Sequence, residues 1–281
     1  MTPDKIARLL RVVAAPRPRI LDVGAAYYCQ RPIYQTLWEA GGCELVLIDA
    51  DKEHAEQLKT LYPRDATVIN QAVGPAGEAT LYVCPAGMTS LLKPKADALA
   101  FFNGFSEFGA VSSTENITLA PLDSLQLGAI DFLKIDVQGS EKSVMESGKT
   151  CLSSLVGAQL ELSFITLYEN QPTQGEMDVF LRGLGMTPHC LAEFKRWPIA
   201  PVVKNNNIME PFNQLLEADF VYFKDPLNLS AYSNDQLAKA LILSLALYDS
   251  LDLGVYYAME MVKRGYSQSL PQDILHLFLA A

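Results

Sequence analysis

The sequence predicts an α/β fold, a doubly wound and mostly parallel sheet with an N-terminal helix in front of it and a helical appendage behind it. Three observations carry that expectation. From Arg19 to Lys224, short β-rich runs alternate with helical patterns, as strands joined by crossover helices require. The run 130–136 is nearly all apolar, as in a strand covered on both faces, yet it holds Lys134 and Asp136. Beyond Ser233 the composition turns to Leu, Ala and Tyr at helical spacing.

Each element has its own local reason. Thr2-Pro3-Asp4 is a helix start, and Ile6, Leu9, Leu10 and Val13 recur at helical spacing until Pro16 and Pro18, giving an amphipathic helix within residues 1–18. Arg19–Gly24 reads as a strand entering a glycine turn, 32–40 as a helix closed by Gly41-Gly42, and 44–49 as a second strand. Asp51 caps a helix running to Leu61, and 66–73 and 78–83 are β-rich. The segment 85–115 is too broken for one long element and too long for an ordinary connection, and reads either as a lid or as a compact excursion of helices.

Alternation resumes with a strand at 116–119, a helical turn near Leu122, the 130–136 strand and a helix from Ser140. Strands at 159–164, 186–194 and 218–224 follow, with a helix at 174–184 between the first two. Residues 19–230 thus form the main domain. Residues 231–281 form a separate group of two or three helices that covers the sheet or pairs with another subunit.

Composition limits the functions on offer. A chain of 281 residues, 49% hydrophobic and 19% charged, can bury a full core. A formal charge of −10 without a Lys/Arg block argues against nucleic acid or anionic lipid as partner and leaves a small molecule or neutral glycan. Five scattered cysteines without Cys-x-x-Cys spacing fit a reducing compartment. No secretory signal is visible, and the most apolar stretch, 240–248, is far short of the roughly 20 residues of a membrane span. A cytoplasmic protein is expected.

The chemistry gathers at strand ends, where open α/β sheets bind ligands. Lys134 and Asp136 share one face of their strand, and a charge there must be paired or used. Gly24 ends the first strand, where a missing Cβ lets backbone approach a ligand. The repeated glycines of a pyrophosphate loop are lacking, so a nicotinamide-dependent oxidoreductase is disfavoured. Asp49 ends the second strand, where an acid accepts bonds from ribose hydroxyls. Together they suggest a nucleoside without phosphates, and S-adenosylmethionine fits. The plainer alternatives are that Gly24 serves only a turn and that Asp49 or Asp51 only caps a helix.

The motifs Ile-Leu-Asp-Val-Gly-Ala (20–25), Leu-Ile-Asp-Ala-Asp (47–51), Gln-Ala-Val-Gly (71–74), Met-Thr-Ser-Leu (88–91), Pro-Leu-Asp-Ser-Leu (121–125) and Leu-Lys-Ile-Asp-Val-Gln-Gly-Ser-Glu (133–141) occur in this order. Over about residues 19–224 the chain resembles the FkbM-type S-adenosylmethionine-dependent methyltransferases. Lys134, Asp136, Gly139 and Glu141 match that family's Lys-x-Asp-x-Glu-Gly-x-Glu, with Gln138 replacing the usual acid. Ala26 and Tyr28 stand where Asn and Gly are usual, and Tyr28 either narrows the cofactor pocket or points away.

The resemblance implies a seven-stranded, Rossmann-like class I methyltransferase fold. It carries cofactor contacts onto Asp22, Gly24, Ala25 and Ala26 for the methionine moiety, Asp49 and Ala50 for the ribose, Gln71 and Ala72 for the adenine, and Asp136. It also implies transfer to a hydroxyl of a sugar, glycan intermediate or secondary metabolite, and the absence of an Asn/Asp-Pro-Pro-Tyr/Phe signature favours oxygen as the acceptor atom.

Transfer to oxygen needs alignment and removal of the hydroxyl proton. Asp136, Glu141 and Glu161 are the candidate catalytic carboxylates, with Lys134 beside them; Asp136 and Glu161 could instead hold Mg²⁺. The structural alternatives are that Asp136 caps the next helix, Glu141 offsets its dipole, and Lys134 pairs with Asp22. Among the histidines, His54 is expected in solvent and His276 packed, leaving His189 as a weak base candidate. Tyr168, Arg196 and Trp197 either line a sugar-binding face or cover a core edge. Homo-oligomerisation is open, and a non-catalytic binding protein of the same fold is the competing function.

Overall fold

Thr2 accepts a hydrogen bond from the Lys5 N–H and so starts α1 (Pro3–Val13), which buries Ile6, Leu9 and Val13. In the computed structural model, which describes residues 1–26 and 31–279, β1 (Arg19–Val23), α2 (Gln35–Glu39), β2 (Glu44–Asp49), α3 (Lys52–Leu61) and β3 (Ala66–Asn70) follow. Next come β4 (Gly77–Val83), α4 (Ala96–Phe101), α5 (Phe105–Phe108), β5 (Ser113–Leu119), β6 (Phe132–Ile135), α6 (Glu141–Glu146) and β7 (Gly157–Ser163). The chain continues through α7 (Gln174–Gly183), β8 (Met186–Arg196), β9 (Leu215–Lys224), α8 (Asn234–Tyr248), α9 (Leu251–Lys263) and α10 (Leu270–Leu279).

Seven strands make one sheet in the order β3-β2-β1-β6-β7-β9-β8. The first five in that order are parallel, while β9 runs antiparallel to both β7 and β8. The chain builds outward from β1 to β3 and then returns to the other side of β1. The carboxyl ends of β1 and β6 therefore flank the switch point where such sheets leave a crevice.

Alternating side chains feed two cores. On one face Ile20, Leu45, Leu47, Phe132, Val221 and Phe223 pack with α1, α2, α3 and the three C-terminal helices. On the other, Leu21, Val46, Leu133, Leu160 and Tyr222 pack with α6 and α7. The helix α8, which opens with a Ser233–Gln236 capping box, lies on the first face, and its Lys239 Nζ reaches the buried Asp131 carboxylate at 2.9 Å. No helix among the described residues is long and apolar enough to cross a membrane.

Four expectations are corrected. The helix placed at 32–40 shrinks to α2, because the Gln35 N–H donates to the Pro32 carbonyl in a turn. The strand expected to reach Val73 stops at Asn70, whose side-chain amide turns back to the Asp49 and Ala50 carbonyls. The β-rich runs 78–83 and 116–119 stay out of the main sheet and form a separate antiparallel pair, β4 with β5. His276 is exposed on α10, whose buried side carries Leu270, Ile274 and Leu277. Within 85–115, α4 and α5 gather Leu99, Phe102 and Phe105 into an apolar cluster with Tyr168 and Leu216.

Candidate functional site

Register places one row of side chains across the first face: Asp22 opposite Lys134, and Lys134 opposite Gln159. Lys134 Nζ donates to Asp22 Oδ1 at 3.2 Å, and the Tyr34 hydroxyl donates to Asp22 Oδ2 at 2.8 Å. Burial disfavours the Lys134 ammonium, but Asp22 and Asp136 outweigh it and raise its pKa. The Lys134–Asp22 pair is therefore present, and Lys134 stays a fixed cation under the edge of the sheet.

Two residues further along the same face stand Asp136, just past β6, and Glu161 of β7. The Gln138 side-chain Nε2 donates to both, at 2.8 Å to Asp136 Oδ1 and 3.1 Å to Glu161 Oε2. Two carboxylates within reach of one nitrogen repel each other as anions. Burial, then the Glu161 charge, push Asp136 up to about 7 against the pull of Lys134. Burial, then Glu217, push Glu161 up to about 7, although Lys195 Nζ lies 3.0 Å from it. The pair thus retains a proton to near-neutral pH.

The turn that carries Asp136 is held from three sides. Glu141 is buried, and its Oε1 accepts from the Val137 and Gly139 N–H groups at 3.2 and 3.0 Å. Burial raises its pKa to about 7 despite those donors. Ser90 Oγ donates to the Gln138 carbonyl at 2.7 Å, and the Tyr168 hydroxyl donates to Gln138 Oε1 at 2.9 Å. Gln138 itself sits at φ +55°, a left-handed conformation that costs energy for a residue with a Cβ. Asp136 does not cap α6, whose Ser140 cap makes no side-chain bond; the Asp136 carboxylate meets Gln138 instead.

Gly24, at φ +78°, admits a different close approach from the expected one. A Cβ on it would lie 1.9 Å from the Asp136 carbonyl oxygen, so the glycine lets the exits of β1 and β6 touch. The Asp136 N–H donates to the Val23 carbonyl at 3.0 Å across the same seam. Ala25 and Ala26 follow it; Tyr28 lies outside the described residues.

At the end of β2, Asp49 Oδ1 accepts from the Asp51 N–H at 2.7 Å, and His54 Nδ1 stands 3.6 Å away. His54, expected in solvent, is thus half-buried beside an acid. Burial raises the Asp49 pKa, partly offset by the Asp51 N–H and by His54. Asp51, not Asp49, caps α3. Ala50 is exposed, and Gln71 turns its amide to the Ala72 and Thr118 carbonyls.

Other candidates fall elsewhere. His189 Nε2 lies 2.6 Å from Ser250 Oγ and its ring meets Phe223 edge-on, away from Asp136, and burial lowers its pKa. Tyr168 is buried and does not line an open face, while Arg196 lies over the Phe194 ring. Among the described residues no group of three His, Cys, Asp or Glu side chains is placed to hold a metal ion.

Gln138, Lys195 and Glu217 belong to the cluster without having been picked out for a role by sequence reasoning. Gln138 had a visible signal, an amide in a position usually acidic. Lys195, which reaches Glu161 and, at 2.7 Å, Glu217, lies one residue past where β8 was expected to end.

A family described as the methyltransferase FkbM domain matches residues 22–187. Among solved structures, an FkbM methyltransferase from Methylobacillus flagellatus KT is 14% identical with a TM-score of 0.39, covering 74% of this chain and 43% of that one. This chain therefore spans less than half the length of that protein. A precorrin-6y C5,15-methyltransferase from Geobacter metallireducens GS-15 is 12% identical with a TM-score of 0.37, covering 78% of this chain and 87% of that one. No curated protein matches.

Proposed function

Because this chain belongs to the FkbM methyltransferase family, we infer that it is an S-adenosylmethionine-dependent O-methyltransferase acting on a hydroxyl of a small molecule, whether sugar, glycan intermediate or secondary metabolite. One observation carries the reading: Asp136 and Glu161 meet at one amide nitrogen on the carboxyl edge of the sheet and keep a proton to near pH 7. A general base works best when its pKa lies near the working pH.

The donor set suits the cofactor. Carboxylates end β2 and β6, with the small residues Ala25, Ala26, Ala50 and Ala72 among them, as a cationic nucleoside without phosphates requires. Asp49 would hold the ribose hydroxyls, Gln71 and Ala72 would border the adenine, and the turn at Asp22, Gly24, Ala25 and Ala26 would border the methionine moiety. When bound, S-adenosylmethionine supplies an activated methyl on a sulfonium. Asp136 then accepts the proton of the acceptor hydroxyl, and Glu161 tunes it through their shared donor Gln138. Lys134, held by Asp22, keeps the anion of Asp136 within reach once that proton has gone. Glu141 braces the turn that aims Asp136.

Binding tests the premise. S-adenosylhomocysteine is expected to bind in calorimetry, and Asp49→Ala to weaken it about 10- to 100-fold, the loss of hydrogen bonds to a charged group. No binding at about 1 mM, a free energy near 4 kcal/mol, would leave the fold serving another partner.

Mg²⁺ held by Asp136 and Glu161 is the alternative way to acidify the hydroxyl. Gln138 Nε2 and Lys195 Nζ already direct N–H donors at these carboxylates, where a divalent cation would need oxygen. Methyl transfer is therefore expected to be indifferent to EDTA. Loss of activity with chelator and recovery with Mg²⁺ would favour the metal. The free thiols Cys43, Cys84, Cys151 and Cys190 go with a cytoplasmic location.

A further inference from the structure

The long connection from β8 to β9, residues 197–214, forms with Phe164 and Leu215 a cavity of about 690 Å³ lined by Phe164, Trp197, Ile199, Val202, Phe212 and Leu215 among others. The geometry points to this cavity as the seat of the acceptor's body: it takes the apolar part, aromatic or alicyclic, of a neutral hydroxylated small molecule whose hydroxyl reaches Asp136 and Glu161. This rests on the methyltransferase reading above and narrows its acceptor.

Position is the first argument. Trp197 follows Lys195 by two residues, Leu215 precedes Glu217 by two, and Phe164 follows Glu161 by three. At roughly 3.3 Å per residue, each of these three chain segments passes from the carboxylate cluster to the cavity wall within about 10 Å. Those distances suit a molecule with its body in the cavity and one hydroxyl at the carboxylates. The volume falls within the roughly 300–1,000 Å³ of small-molecule sites.

The wall is also built rather than loose. Asn103, buried between α4 and α5, uses three groups to fasten it. Its N–H donates to the Pro198 carbonyl at 3.1 Å, its Nδ2 donates to the Val202 carbonyl at 2.6 Å, and its carbonyl accepts from Trp197 Nε1 at 2.7 Å. Phe105 meets the Trp197 ring edge-on with centroids 5.2 Å apart. A pinned wall needs little ordering when a ligand enters, which favours affinity.

Chemistry selects the ligand. Val202 and Phe212 are 55% and 48% exposed, so an apolar body placed on them removes apolar surface from water. Asn213 and Gln214 also line the cavity, but Gln214 Nε2 already donates to the Leu215 carbonyl, so against this mainly apolar lining a hydroxyl-rich ring would lose more hydrogen bonds to water than it regains. Lys134, Lys195 and Lys204, the last lying over the Phe212 ring, are each already paired with acids, Asp22, Glu161 with Glu217, and Glu210, so these cations offer no unpaired charge to an anionic acceptor.

The test uses the full chain and the neutral fluorescent probe N-phenylnaphthylamine. Saturable binding is expected, weakened by about tenfold or more, near 1.4 kcal/mol, in Val202→Asp and in Phe212→Asp, both exposed sites that tolerate the change. Leu227→Asp, at a position 88% exposed beyond the far end of β9, should bind as the unmodified chain does. Naphthol should displace the probe, and methyl glucoside at equal concentration should not. No probe binding, unchanged binding in both cavity variants, or equal displacement by the glucoside would overturn the proposal. S-adenosylhomocysteine binding, titrated in parallel, should be the same in all four proteins. Its absence from the unmodified chain would overturn the methyltransferase reading, and the acceptor role with it, whatever the probe does. Unaltered probe binding in the variants beside intact S-adenosylhomocysteine binding would overturn the cavity alone.

Discussion

Asp136→Asn is expected to abolish methyl transfer, lowering kcat by about 10³-fold or more, within the range that a positioned general base supplies. Asn is nearly isosteric and can still accept from Gln138 Nε2, so the turn should hold and S-adenosylhomocysteine affinity should change little. In the unmodified enzyme the base must be ionised, so activity should climb about tenfold per pH unit up to near pH 7 and then level off.

Stability should move the opposite way. A carboxylic acid whose folded pKa lies above its unfolded value stabilises the fold below about pH 4, and that contribution is lost as pH rises through the folded value, here about 7. Unmodified protein should therefore become less stable between about pH 4 and 7. The Asn variant, lacking Asp136's share, should show a shallower slope in urea titrations across that window. Full turnover in the variant would make the motif architectural and dismiss Asp136 as the base.

Gly24→Ala is expected to cost about 3 kcal/mol or more, from the left-handed φ of +78° at about 1–2 kcal/mol and from a Cβ that meets backbone 1.9 Å away. Backbone cannot rotate aside as a side chain does. The seam between β1 and β6 must open, and Asp136 moves with it. Gly41→Ala is the control: its φ is +70°, nothing lies within 4 Å of the added carbon, and only the left-handed φ's cost of about 1–2 kcal/mol should be lost. Urea midpoints compare the two directly. If Gly24→Ala proves no worse than Gly41→Ala, the contact with Asp136 does not constrain this glycine.

Much of the sheet was legible because its signals are local. Asp51 before Lys52–Leu61 and Thr2 before Pro3 mark helix starts by capping chemistry, and the apolar run around Lys134 marks a doubly covered strand. The pairing of Lys134 with Asp22 could be anticipated because both stand on one face of adjacent strands. The cluster around Glu161 was only half legible. Its neighbours Lys195 and Glu217 come from β8 and β9, and which residues of antiparallel strands face one another depends on register, here shifted three times by irregularities, two in β8 and one in β9. The separation of β4 and β5 from the main sheet was illegible for the same reason, since β propensity says that a run is extended and not which neighbour it joins. The role of Gly24 was visible as a glycine in a turn, but what its missing carbon makes room for is a carbonyl more than one hundred residues away.

Asn103 ties the cavity wall to the excursion between β4 and β5, whereas Asp136 and Glu161 ride on the parallel core. Ser90 of the same excursion braces the Asp136 turn, so it is substitutions at Asn103 and Phe105, on the cavity side, that are expected to reshape the cavity while leaving the carboxylates in place. Under the reading proposed above, selection at those positions would vary the ligand while the carboxylate cluster on the sheet stays unchanged.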